Sequence, residues 1–122
     1  MKTILLVEDD PFLIDIYKSK LKEVGFEIET AEDGEKALRK TKEKKPDLML
    51  LDIVLPKIDG WEILKKIRSD PGLKDLKVIV LSNLGQKEEV EKGMALGATK
   101  YLIKAHFTPS EVVEEVKKLL KK

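Results

Sequence analysis

The chain contains no cysteine, which excludes disulfides, thiolate nucleophiles and cysteine-ligated zinc. Its single histidine, His106, rules out a multi-histidine metal centre. Neither sign of charge prevails: 24 Lys plus Arg stand against 23 Asp plus Glu, a net charge of +1. Such a balance gives no general attraction to nucleic acid or anionic membrane, so any anion site has to be built locally. No apolar run approaches the roughly 20 residues of a membrane span. The opening Met1-Lys2-Thr3, followed by Ile4-Leu5-Leu6-Val7, is too short and enters acidic sequence too soon to be a signal peptide. A cytoplasmic protein is expected.

What remains is a chain of 122 residues, 42% hydrophobic, enough for one core and one domain over residues 1–122. Charged residues make up 39% of it. Four apolar runs stand out: Ile4–Val7, Leu48–Leu51, Val78–Leu81 and Tyr101–Ile103. They are continuous rather than alternating, as in strands buried on both faces of a parallel sheet. Phe26–Ala31 alternates apolar and polar residues and suits an edge strand. Helical patterns lie between and after these runs. Asp10 with Pro11, Asp33, Asp59 with Glu62, and Thr108 with Pro109 and Glu111 are placed to cap helices. Gly25, Pro46 and Gly97 are placed to end them. A fourth helix, over Lys87–Leu96, would turn Val90 and Met94 inward. Lysines 117, 118, 121 and 122 suit the negative end of the last helix.

Strand–helix alternation repeated five times implies an α/β fold, a five-stranded parallel sheet flanked by five helices. Right-handed crossovers restrict the topology. One common solution is the order 2-1-3-4-5, with its ligand crevice at the strand C-terminal ends between strands 1 and 3. In that arrangement strand 1 delivers Glu8, Asp9 and Asp10 to the crevice, strand 3 Asp52, strand 4 Ser82 and strand 5 Lys104. Carboxylates from adjacent strands repel one another, and a divalent cation reverses that penalty. Oxygen ligands without His or Cys favour Mg²⁺ before Mn²⁺ or Ca²⁺. Lys104 and the Ser82 hydroxyl can each meet a phosphoryl oxygen, and Asp52, alone on the central strand, is the candidate nucleophile.

The sequence resembles the response-regulator receiver family of two-component signalling, flavodoxin-like (βα)5 proteins. The resemblance rests on Ile4-Leu5-Leu6-Val7-Glu8-Asp9-Asp10, Asp47-Leu48-Met49-Leu50-Leu51-Asp52, Leu55-Pro56 through Asp59-Gly60, Val80-Leu81-Ser82 and Tyr101-Leu102-Ile103-Lys104. The strand order is itself a known feature of that family and is not separate support. The resemblance implies that Asp52 is the phosphoacceptor and that Asp9 binds the metal directly. Glu8 would act through a metal-bound water, and the Val54 backbone carbonyl would complete the protein ligands, around Mg²⁺ or, alternatively, Mn²⁺. It implies that Lys104 pairs with the phosphoryl group, and that Ser82 and Tyr101 form a switch leading to the helix 4–strand 5–helix 5 surface. Expected partners are a histidine kinase or phosphotransfer protein and a downstream protein target, with no nucleic acid or membrane contact. The expected state is a monomer or a weak phosphorylation-dependent dimer.

Three departures bear on these expectations. Ala105 follows Lys104 where the family usually carries a cis proline, and a cis bond before alanine costs roughly 2.5–4 kcal/mol, so the lysine's loop is expected to take another path. Asn83 is expected to crowd the site. Val54 and Leu84 flank the acceptor with apolar side chains that cannot orient an attacking water, so slow loss of the phosphoryl group is expected. Competing readings are a degenerate receiver used only for protein contacts, a metal-dependent phosphatase and a flavodoxin-like cofactor binder. The phosphatase lacks a second acid at position 54, and the cofactor binder lacks a phosphate-cradling loop. The sequence runs out with the fifth helix, which leaves a free-standing docking protein and an excised receiver both open. Tyr101 reads equally as switch or packing residue, Trp61 as a helix-edge packing residue, His106 as a solvent-facing loop residue, and the basic run 39–45 as a solvated helix face.

Overall fold

The computed structural model describes residues 1–121; Lys122 lies outside the described residues. Strands β1 (Thr3–Val7), β2 (Glu27–Ala31), β3 (Leu48–Leu51), β4 (Lys77–Ser82) and β5 (Lys100–Ile103) alternate with helices α1 (Pro11–Glu23), α2 (Gly34–Lys44), α3 (Gly60–Ser69), α4 (Lys87–Ala95) and α5 (Pro109–Leu120). The five strands form one parallel sheet in the order β2-β1-β3-β4-β5.

Alternation along each strand divides the core between the two faces of the sheet. Ile4 and Leu6, Leu48 and Leu50, Ile79 and Leu81, and Leu102 pack on one side with Tyr17 and Leu21 of α1 and Val112, Val113 and Val116 of α5. Leu5 and Val7, Met49 and Leu51, and Val78 and Val80 pack on the other with Ala37 of α2 and Ile63, Leu64 and Ile67 of α3. This two-sided burial is why the three inner strands read as unbroken apolar runs. Strand β2, at the edge, keeps Glu27 exposed.

The helix starts follow from their caps. Asp10, Asp33 and Asp59 accept from the backbone N–H of Phe12, Lys36 and Glu62. At α5 the reciprocal box forms: Glu111 N donates to Thr108 Oγ1 at 3.2 Å, and Thr108 N to Glu111 Oε1 at 2.8 Å. Helix α4 departs from expectation. It starts at Lys87 as expected, behind a Gln86 cap whose N–H donates to Glu89 Oε1, but it ends at Ala95 rather than Leu96 and leaves Met94 46% exposed. Its inward position is taken by Gly93, so the helix lies on the sheet through backbone instead of a methionine side chain.

Two glycines set the loop that follows β3. Gly60 N donates to Ile53 O at 2.8 Å, and a Cβ there would lie 2.6 Å from the Asp52 carbonyl oxygen. A Cβ on Gly34, at the α2 N-terminus, would lie 2.0 Å from Ile58 O. Backbone thus abuts backbone, with no flexible side chain to yield. Gly34→Ala is expected to destabilise the fold by roughly 1–3 kcal/mol through this overpacking. Gly72→Ala, whose added methyl meets only the Asp70 side chain, should stay within roughly 0.5 kcal/mol of the parent. Urea denaturation of both variants checks this; equal stabilities would contradict it.

Candidate functional site

Strand register determines which polar residues meet. Val7 pairs with Leu51 across the β1–β3 ladder, so the residues that follow, Glu8 and Asp52, leave the sheet side by side. The backbone holds each in place, through Glu8 N to Ala31 O and Asp52 N to Val7 O, both 3.0 Å. Both side chains are nearly covered, with Glu8 3% and Asp52 7% exposed. Lys104 reaches across from the end of β5 to lie between them. Its Nζ is 2.6 Å from Glu8 Oε1 and 2.8 Å from Asp52 Oδ2.

The remaining carboxylate oxygens are also occupied. Glu8 Oε2 accepts from the N–H groups of Asp9 and Asp10, both at 3.1 Å, and Asp52 Oδ1 accepts from Ile53 N at 2.7 Å. Asp9 differs: it is exposed, and its carboxylate makes no hydrogen bond or ion pair among the described residues. Ligand oxygens of Glu8, Asp9 and Asp52 all lie within 4.8 Å of one another. No N–H among the described residues donates to the Val54 carbonyl, while the Val54 side chain is 62% exposed. This set of carboxylate oxygens, one of them uncommitted, fits a hard divalent cation.

Electrostatics reflect the crowding. Burial pushes the Glu8 carboxyl above its ordinary value, only partly offset by Lys104 and the Asp10 N–H. Burial alone would pull Lys104 down, but its bonds to Asp52 and Glu8 outweigh this and hold the ammonium above its ordinary value. Tyr17 rises through burial in the α1 core, and its phenol also feels the charges of Lys104, Glu8 and Asp52.

Ser82, 1% exposed at the end of β4, accepts from Leu84 N at 3.3 Å. The Leu84 carbonyl accepts from the Tyr101 hydroxyl at 2.5 Å. A single loop residue therefore joins the site hydroxyl to the Tyr101 ring, which lies against Gly93 of α4. Residue type carries no sign of this link, because Leu84 contributes only backbone. The acceptance of Ile53 N by Asp52 escaped sequence reading for the same reason.

Two departures resolve differently. There is no cis peptide among the described residues, and Lys104–His106 form a short 3-10 turn in which Phe107 N donates to Lys104 O. The expected crowding by Asn83 is not found: it lies one residue past the strand and is exposed, while Ser82 turns inward. His106 is exposed, and Trp61 packs at the α3 edge with Lys92 Nζ 4.6 Å from its ring centroid.

The family model for the response regulator receiver domain matches residues 4–117. The chain belongs to this family. This receiver is 38% identical over 123 residues to the alkaline phosphatase synthesis transcriptional regulatory protein PhoP of Bacillus subtilis, covering 99% of this chain and 49% of that protein. It spans about half the length of the curated relatives it matches. Among solved structures, the chemotaxis response regulator CheY4 of Vibrio cholerae superposes with a TM-score of 0.90 at 28% identity, over 98% of each chain. The Mn²⁺-bound form of the response regulator Rcp1 superposes with a TM-score of 0.86 at 29% identity, over 98% of this receiver and 94% of that chain. Receivers of this family are signalling switches of two-component systems. No helix among the described residues of this one is long and apolar enough to cross a membrane.

Tyr101 supplies a pH test. Burial first, then the charges of Glu89 and Asp52, push its phenol up to about 12. The folded state thus keeps its proton longer than the unfolded chain does. That contribution to stability is intact below the ordinary value of 10.0 and is lost as pH rises toward about 12. Ultraviolet titration of the folded protein, with circular dichroism monitoring the fold, should show Tyr101 ionising last and Tyr17 also late. Both phenols ionising at the ordinary tyrosine value would contradict this geometry.

Proposed function

We propose that this receiver accepts a phosphoryl group on Asp52 from the phosphohistidine of a histidine kinase or phosphotransfer protein. The reading is carried by one observation: Asp52 stands at the strand ends beside Glu8 and Asp9, with the Lys104 ammonium on its Oδ2. The group would arrive by attack of an Asp52 carboxylate oxygen on phosphorus. The P–N bond breaks as the P–O bond forms, and the imidazole leaves with the electron pair of that bond. Lys104, freed from one of its two carboxylates, then pairs with a phosphoryl oxygen. Such transfer depends mainly on positioning and on neutralising charge.

Asp9, Asp52 and the Val54 carbonyl would hold a divalent cation. Glu8, whose oxygens are all engaged, would assist through water. A bound Mg²⁺, or Mn²⁺ as in the related Rcp1 structure, supplies charge neutralisation for the acidic cluster and the incoming phosphate. Ser82 is placed to turn toward the phosphoryl group. Doing so would release Leu84 N–H and loosen the loop that holds Tyr101 against α4, changing the α4–β5–α5 surface offered to a downstream protein. The apolar Val54 and Leu84 leave no side chain to orient a hydrolytic water.

Intact-mass analysis with acetyl phosphate or phosphoramidate tests this. The parent should gain one phosphoryl group with Mg²⁺ and none without it, and Asp52→Asn should gain none. The added mass should outlast removal of the donor well beyond seconds. A parent that gains no mass, or an Asn variant that still does, would sink the assignment of Asp52; decay within seconds would remove the roles given to Val54 and Leu84.

A further inference from the structure

Three adjoining concavities run along the outer side of α3, on a surface that shares no residue with the Asp52 cluster. The largest, about 600 Å³, lies between α2 and α3. It shares Glu62 and Lys65 with a hollow beside Trp61, and Lys42, Asp70 and Leu73 with another past the α2 C-terminus. Shared lining residues place these hollows side by side along α3, from Trp61 to Asp70, as one grooved face roughly 14 Å long at the helical rise.

Six lysines stand along it: Lys42, Lys45, Lys57, Lys65, Lys66 and Lys92. All are exposed. Among the described residues only Lys57 of the six has an ion-pair partner, Glu35 at 3.8 Å. Two of the groove's carboxylates are engaged by backbone, Asp59 with Glu62 N–H and Asp70 with Gly72 N–H. The floor is apolar, with Leu38 and Leu73 partly buried at the edge of the core. By sequence the run 39–45 is a solvated helix face. The fold alters that by setting Lys65 and Lys66 of a second helix opposite it across an apolar strip.

We infer that this groove docks an acidic amphipathic segment of a partner protein. Its carboxylates would meet the lysines, its apolar residues would lie on Leu38 and Leu73, and Trp61 would anchor one end. Unpaired lysines facing each other over apolar floor are complementary to that pattern. Nucleic acid fits less well, because Trp61 is the one aromatic side chain in the groove and Lys92 covers a face of its ring. A second copy of this chain, docked by the same face, would set lysine against lysine.

The probe is a Glu/Leu peptide of about a dozen residues with leucines at helical spacing, titrated into the full, unphosphorylated chain and followed by ¹⁵N–¹H NMR. Saturable shifts confined to α2, α3, the groove residues Lys45, Lys57, Leu73 and Lys92, and the Trp61 indole N–H are expected. The double substitution Lys42→Glu and Lys66→Glu should weaken binding at least ten-fold. Lys22→Glu with Lys87→Glu, an equal charge change on α1 and α4, should leave it within two-fold. Both variants are surface changes whose fold the same spectra verify. Shifts that map elsewhere, equal weakening by both variants, absence of binding, or tighter binding of a thymidine oligonucleotide to the same lysines would each overturn the inference.

Discussion

An ammonium held between two buried carboxylates is the interaction on which the rest of this receiver's rim depends. Glu8 and Asp52 leave neighbouring strands into a nearly water-free corner, where two adjacent negative charges are strongly disfavoured. Lys104 offsets that repulsion from the far edge of the sheet. The arrangement carries one net negative charge from three groups, and Asp9 adds another at the solvent side. A dication would complement such a set, and on the proposed reading an incoming phosphate would then meet both the metal and the lysine. The same contacts that make the site costly to bury therefore make it responsive to charge arriving from outside.

The sheet order does the assembling. With β1 between β2 and β3, and β4 leading to β5, the acids meet at the centre while the hydroxyl and the lysine approach from one side. The two-sided core, closed by α1 and α5 on one face and α2 and α3 on the other, leaves α4 resting on the sheet through Gly93. Helix α4 is also the element nearest the Ser82–Leu84–Tyr101 connection. The segment with the smallest buried face thus sits where a change at Ser82 would be felt first, as expected of a switching element drawn from the less stable part of a fold.

Much of this was legible in residue order. Continuous apolar runs such as Leu48–Leu51 announced inner strands, and Asp10, Asp33, Asp59 and Thr108 announced helix starts, because burial on two faces and capping both leave local signatures. The strand-end positions of Glu8, Asp52, Ser82 and Lys104 were legible for the same reason. What could not be read depends on backbone or on distant packing. The exposure of Met94 goes with Gly93 lying against Tyr101, a contact between separate elements. The Leu84 relay uses amide and carbonyl groups common to every residue. The lysine groove needs two helices side by side, and neither helix alone differs from an ordinary solvated face.

The central claim is that the acidic rim takes up an external cation while its internal ammonium shifts off Asp52. Crystals grown with Mn²⁺, measured at the manganese absorption edge, locate that cation directly. The account predicts one strong anomalous peak ligated by the Asp9 and Asp52 carboxylates, with Lys104 Nζ drawn away from Asp52. A peak elsewhere on the protein, or none while Lys104 keeps both of its carboxylates, would contradict it.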